Sequence, residues 1–341
     1  MTREREGLFL CLASAACFGA MAIFAKEAYA AGLDVTTLLA LRFPIAAAML
    51  WSLILLRRRP LGSARGLLLG GALGLWYAAQ AALFFSALER IDAGLASLLL
   101  YAYPALVTLG AFALGRERPD RRRIGALALA SAGVVLVLAG GGTGELDVLG
   151  AGLALGAAGA YTVYILASDR MAATTPPVPF AASVVTGAAV AFAVAALVRG
   201  DVHVSGEGLM WTAVLASVST VMPIVLFMAG LARVGPSTAS IASTIEPPFT
   251  VALAWIVFGE TLGALQLAGG ALVLSAVVLL QLRSAASSVR SVSPESPLAR
   301  TSLRQSASSP PEASQAQVSA TVAASGRGRS PASAARAPDM P

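Results

Sequence analysis

Long uninterrupted apolar stretches alternate with short polar connections along the chain as far as about residue 283. Runs of roughly 20 residues, the length an α-helix needs to cross a ~30 Å hydrocarbon layer, fall at roughly 7–26, 34–56, 66–88, 93–115, 123–140, 147–167, 178–198, 208–231, 236–258 and 263–282. The pattern predicts ten transmembrane helices, the end of the fifth being blurred by Gly133 and by Gly140 to Gly142. Past Arg283 the apolar runs stop and Ser, Ala, Pro and Arg dominate. Such a composition buries too little apolar area to offset chain entropy, so residues 284–341 are expected to be a disordered tail.

The runs repeat. IDAGLASLLLYAYPALVTLGAFALGRE (Ile91 to Glu117) returns as VGPSTASIASTIEPPFTVALAWIVFGE (Val234 to Glu260). Pro247 minus Pro104, Glu260 minus Glu117, Arg233 minus Arg90, Ser240 minus Ser97 and Phe227 minus Phe84 all give 143. One offset fits several spans, so the chain reads as a five-span block written twice, over 5–140 and 146–283. Two copies of an odd number of spans must face opposite ways, the arrangement of carriers whose site lies between inverted halves.

Composition agrees with a membrane setting: 57% of residues are hydrophobic and 12% charged, against roughly 25% charged in a soluble domain, and mean hydropathy is +0.76. The net charge of +6 raises the question of nucleic acid, but the bases sit where topology puts them. Arg57, Arg58, Arg59, Arg65, Arg116, Arg118, Arg121, Arg122, Arg123, Arg170 and Arg233 fall in one alternate set of connections, whereas the other set holds only Lys26, Arg90 and Arg199. Basic connections are retained on the cytoplasmic side, so a multi-pass protein of the cell's inner membrane with both termini cytoplasmic is expected, and nucleic acid is not an expected partner.

Several chemistries find no support. Cys11 and Cys17 are six residues apart in the first span, about 240° around a helix, which suits neither a disulfide nor a metal pair. His203 is the only histidine and lies in a polar connection beside Asp201. The run AGGGTGE, Ala139 to Glu145, lacks the Lys and Ser/Thr of a phosphate loop. No catalytic set, metal or cofactor is expected, and the first apolar run reads as an anchor without a cleavage site.

The candidates that remain lie inside the spans. Glu246, near the middle of the ninth, costs on the order of 3 kcal/mol to bury unpaired, which points to a polar cavity, a partner or a bound proton. Ser243, Glu246 and Thr250 are spaced i, i+3, i+7 and are expected to share a helix face. Pro247 and Pro248 cannot donate backbone hydrogen bonds, which frees carbonyls near Ser243 and Thr244. Pro104 does the same in the fourth span, where Tyr103 stands in the place of Glu246. These prolines are hinge candidates. Arg42 sits about 12 Å into the second span and is read either as an attractor of an anionic substrate group, as compensation for Glu246, or as a structural partner of backbone carbonyls. Tyr77, Gln80 and Phe84 on the third span, with Tyr161 and Tyr164 on the sixth, furnish an aromatic wall with polar handles. Gly66, Gly70 and Gly74 form a small-residue packing ridge.

YPALVTLGAFALGRERPDRRRIGALALASAGVVLVL and IEPPFTVALAWIVFGETLGALQLAGGALVLSAVVLLQL resemble the two copies of the EamA domain of the drug/metabolite transporter superfamily, and FGAMAIFAKEA and LALRFPIAAAML resemble its opening spans. The resemblance runs from about Arg5 to Arg283. It implies ten helices in two inverted repeats, a central cavity, and alternating-access transport, often efflux, of amino acids or other small metabolites. The expected partners are a small-molecule substrate, protons acting through Glu246, and the lipid bilayer. A lipid-linked sugar or lipid flippase is the alternative carrier, and a non-transporting membrane sensor or structural protein the alternative class.

Overall fold

A computed structural model describes residues 3–116, 119–140, 147–171, 175–200 and 202–291. Glu117, Arg118, Asp201, residues 141–146 and the residues from 292 onward lie outside the described residues, as do the side chains of Arg170 and Arg283. Residues Met1–Ser287 cluster as one compact unit, and the second, Ser288–Pro341, contributes to the described residues only helical backbone ending at Ser291.

Every regular element among the described residues is helical: α1 (Arg3–Gly19), α2 (Met21–Ala30), α3 (Val35–Leu56), α4 (Ala64–Leu88), α5 (Ala93–Leu100), α6 (Tyr103–Ala113), α7 (Arg121–Ala139), α8 (Val148–Met171), α9 (Pro177–Arg199), α10 (Gly206–Ala216), α11 (Met222–Ser243), α12 (Glu246–Phe258) and α13 (Ala264–Ser291). Joined across their breaks, they give nine helices among the described residues that are long and apolar enough to cross a bilayer, together with the shorter apolar stretch Ala264–Leu280 of α13. That stretch is the expected tenth span. The backbone of α13 stays helical to Ser291, so residues 284–291, expected in the tail, continue the helix.

Helix ends follow local chemistry. Asp34 accepts from the amides of Thr36 and Thr37 to start α3, and Asp120 does the same for Arg122 and Arg123 in α7. Between the eighth and ninth spans the chain turns at a single residue, Gly235, whose φ of 78° and ψ of 167° are open only to glycine.

Packing follows the repeat. α1 lies on α11 as α4 lies on α8; α4 meets α9 as α10 meets α3; and α3 with α9, and α5 with α12, are pairs that map onto themselves when the halves are exchanged. The contacts are close because small residues meet. A Cβ on Gly74 would fall on the Val184 carbonyl, one on Gly187 on the Gly71 carbonyl, and one on Gly133 on Gly269, which joins α7 to α13. Large apolar side chains face outward instead, among them Leu56, Leu197, Val198 and Ile256, as a lipid solvent requires.

Among the described residues, three ion pairs join the connections on the side expected to lie outside: Lys26 to Glu260 at 2.7 Å, Arg90 to Asp147 at 3.1 Å and Arg199 to Asp34 at 2.7 Å. The Glu260 carboxylate also accepts from the amides of Ala93 (2.8 Å) and Gly94 (3.5 Å) at the start of α5. Partial burial opposes ionisation of Asp34, yet bonds from the Thr37 hydroxyl and amide and from the Thr36 amide, with the Arg199 charge, outweigh it. Its carboxyl is held below the ordinary range.

Candidate functional site

Among the described residues, three helix discontinuities border one cavity, and a fourth stands behind its Arg42. The first span bends at Ala20 between α1 and α2, the fourth at Tyr101–Ala102 between α5 and α6, and the ninth at Thr244–Ile245 between α11 and α12. The eighth contains a π-helical turn, Ser217–Val221, between α10 and α11. Non-helical backbone at membrane depth is tolerated where it is buried in protein or lines a cavity. Here proline chemistry explains three of the four breaks. Pro104 and Pro247 occupy the first turns of α6 and α12, where a missing N–H is harmless to the new helix and ends the old one. Pro223 cannot donate to the Ser219 carbonyl and widens the turn before it. At Gly19 the cause is tertiary, because its carbonyl accepts from Thr250 Oγ1 at 2.9 Å and a Cβ there would meet the Glu246 carbonyl.

The cavity, about 120 Å³, is lined by residues of the first four spans and of the sixth and ninth, including Gly19, Arg42, Tyr77, Gln80, Phe84, Tyr101, Tyr103, Tyr161, Glu246 and Thr250. Among the residues singled out in the sequence, Glu246, Thr250, Tyr103, Tyr77, Gln80, Phe84, Tyr161 and Arg42 are thus brought together. Tyr164 stands behind the lining, its ring stacked on Tyr161 at 5.8 Å and tilted against Tyr77 at 5.3 Å. Ser243 does not share the face of Glu246 and Thr250, since the break at Thr244–Ile245 turns it into a second space of about 120 Å³ with Ser240, Thr244, Phe227, Tyr101 and Tyr103. Tyr101 and Tyr103 line both spaces and so form the partition between them. Pro247 is buried, and Pro248 lines an apolar groove with Leu98, Val251 and Trp255.

Five of the six tyrosines form one wall, in which Tyr101 meets Tyr103 at 5.7 Å, Tyr103 meets Tyr161 at 4.8 Å, and the stack continues through Tyr164 and Tyr77. The Tyr101 hydroxyl crosses from one half of the chain to the other, lying 2.9 Å from the Ser243 carbonyl and 3.0 Å from Glu246 Oε2. Pro247 is the reason the Ser243 carbonyl has no helical donor. The freed carbonyl expected from the sequence is therefore satisfied by a phenol 142 residues earlier.

Arg42 is fully buried. Its Nε donates to Thr220 Oγ1 at 3.0 Å, its Nη2 to Met21 Sδ at 3.4 Å, and the guanidinium lies 4.9 Å from the Phe85 ring and 5.2 Å from that of Phe43. Neither Glu246 nor a backbone carbonyl is among its partners in the described residues. Tyr101, Thr220, Phe85 and Ser97 were not singled out in the sequence. Tyr101 carried a usable signal, a second aromatic two residues before the tyrosine at the proline, whereas nothing local marks Thr220 except Pro223 three residues on.

Fold and site together define a multi-span membrane protein with an aromatic, acid-bearing cavity at the meeting of broken helices. The model of the EamA-like transporter family matches residues 5–139 and 148–282, and the chain belongs to that family. It is 26% identical over 286 residues to the "Uncharacterized transporter YcbK" of Bacillus subtilis (strain 168), covering 77% of this chain and 88% of that one. It is 28% identical over 185 residues to the "Threonine/homoserine exporter RhtA" of Escherichia coli (strain K12), covering 54% of this chain and 61% of the exporter, less than two thirds of its length. A solved crystal structure shares the fold, with a TM-score of 0.57 at 20% identity over 81% of this chain and 96% of the other.

Proposed function

We propose that the protein is a secondary-active carrier of small metabolites, amino acids or drug-like compounds among them, working by alternating access in the inner membrane and coupled to protons through Glu246. The exporter relative favours efflux. In this reading both termini are cytoplasmic and the inverted halves, 5–140 and 146–283, rock about the cavity.

The contact of Tyr101 with Glu246 and Ser243 carries the reading. A phenol hydroxyl has one proton to donate, yet two acceptors stand within hydrogen-bond distance. If that proton goes to the Ser243 carbonyl, the bond to Glu246 needs a proton on the carboxyl itself. Loss of the carboxyl proton makes Glu246 the stronger acceptor and draws the hydroxyl away from Ser243. A proton arriving or leaving thus changes which bond ties α5 to the break in the ninth span. The small cavity suits a metabolite better than a lipid-linked sugar.

Purified protein in liposomes tests the proposal. An imposed pH gradient drives accumulation of a carried metabolite by the unaltered chain, and Glu246→Gln, which keeps shape and neutral hydrogen bonding, loses it. An intact pH-driven rate in that variant removes the coupling role, and no flux for any of a broad metabolite set removes the carrier reading.

A further inference from the structure

The described residues give Arg42 orientation without a counter-charge. Three kinds of neighbour fix it: a hydroxyl on Nε, a thioether on Nη2 and two phenyl rings about the guanidinium. All of them are neutral. The hydroxyl is itself placed by the π-helical turn, because Thr220 Oγ1 donates to the Leu215 carbonyl five residues back at 3.0 Å and keeps a lone pair for Nε. Single π turns inside α-helices are frequent at functional sites. Nη1 has no partner among the described residues, and Arg42 borders the cavity.

A buried arginine in a membrane ordinarily pairs with an acid or a row of carbonyls. One held by neutral groups beside an open space is a cation whose anion enters with the ligand. Arg42 and Glu246 are the charged residues of the cavity lining, so a single negative charge balances Arg42, while a doubly charged phosphate would leave a surplus in the same space as an acid. A planar guanidinium matches a carboxylate edge through parallel hydrogen bonds. Next to it, Gln80 is buried with no side-chain partner among the described residues and lines the same space. The volume of about 120 Å³ is near that of an engineered cavity that takes benzene, which admits a ligand of a handful of non-hydrogen atoms.

We propose that Arg42 is the carboxylate-recognising residue of this cavity and that the substrates are small organic molecules bearing one free carboxylate. The assignment builds on the carrier reading, and binding is measured apart from flux so that the two stand or fall separately.

The probes are L-alanine, L-serine and L-threonine, each compared with its carboxamide at mildly acidic pH, where both members keep a charged ammonium group. With the full chain in detergent, the acids raise the melting temperature and the amides do not; in liposomes, the acids are carried at least about tenfold faster. Arg42→Gln loses the preference for acid over amide, and Arg42→Lys, which keeps the charge without the fork, retains part of it. An acid and amide that bind equally overturn the assignment, whether or not either is carried. Acid-selective binding without flux supports the assignment and overturns the carrier reading. Neither binding nor flux in all three pairs overturns the assignment, and the carrier reading falls with it when the broad metabolite set is not carried either. Should the Arg42 variants fail to fold, the acid and amide comparison on the unaltered protein still decides.

Discussion

The breaks in the fourth and ninth spans are the same device with different chemistry. In the fourth, α5 ends at Leu100 and α6 begins at Tyr103, with Pro104 next; in the ninth, α11 ends at Ser243 and α12 begins at Glu246, with Pro247 next. Each pair differs by 143 residues, so the backbone interruption is repeated residue for residue. The side chains are not. One half offers phenols, the other a carboxyl and a freed carbonyl, and the Tyr101 hydroxyl joins them. Duplication supplied two cavity-lining breaks, and divergence gave the titratable group to one of them.

Removing that asymmetry is the strongest way to test it. Glu246→Gln is expected to lower pH-driven accumulation by at least about tenfold while leaving substrate-for-substrate exchange in place. Tyr103→Phe, at the matching position, is expected to leave pH-driven accumulation within about twofold, because its hydroxyl makes no bond to Glu246 among the described residues. Counterflow and gradient-driven uptake in liposomes measure both. Equal losses would mean that position in the repeat, rather than the carboxyl, sets the effect.

Tyr101→Phe cuts the link between the halves. It leaves the half-buried Ser243 carbonyl without that donor, a loss of roughly 1 kcal/mol, seen as a lower melting temperature in detergent. Pro247→Ala on the same background supplies a backbone N–H to that carbonyl and is expected to restore part of the stability, whereas Pro104→Ala is not. Rescue by both prolines would mean that helix propensity alone is at work.

The smallest effect belongs to Asp34, away from the breaks. Asp34→Ala removes the cap of α3 at a cost of about 1 kcal/mol, and Asp34→Asn keeps most of it. Because folding holds this carboxyl below its ordinary range, its contribution is present above roughly pH 4 and is lost as pH falls through the lowered value. At 39% side-chain exposure, solvent screening keeps the charge part of that contribution small. Acid denaturation curves of the three proteins report it.

The spans were legible in the sequence because a bilayer imposes one length and one polarity on each of them, and the register of the halves was legible because Pro104 and Pro247 punctuate it. Much of the cavity lining was legible too, since a polar or aromatic residue inside a span has few other reasons to be there. What escaped was pairing at long range. The bend at Ala20 depends on Thr250, 231 positions after Gly19; the setting of Arg42 depends on Thr220, 178 positions on; and Tyr101 matters through Glu246, 145 positions on. Periodicity reports which face of a helix is apolar, and it carries no information on which distant hydroxyl reaches a given carbonyl. The separation of Ser243 from Glu246 was lost for a similar reason, because an i, i+3 spacing defines a common face only in an unbroken helix.

Glu260 has a consequence for how the molecule is made. Its carboxylate accepts from the amides that open α5, yet it is synthesised 167 residues after Ala93. At about 5–20 residues per second, the fourth span waits on the order of ten seconds with its first amides uncapped, and Lys26 waits longer for its partner. That end of the amino-terminal half is therefore finished by the connection between the ninth and tenth spans, so its biogenesis is a closing of early spans by late ones rather than the completion of one half followed by the other.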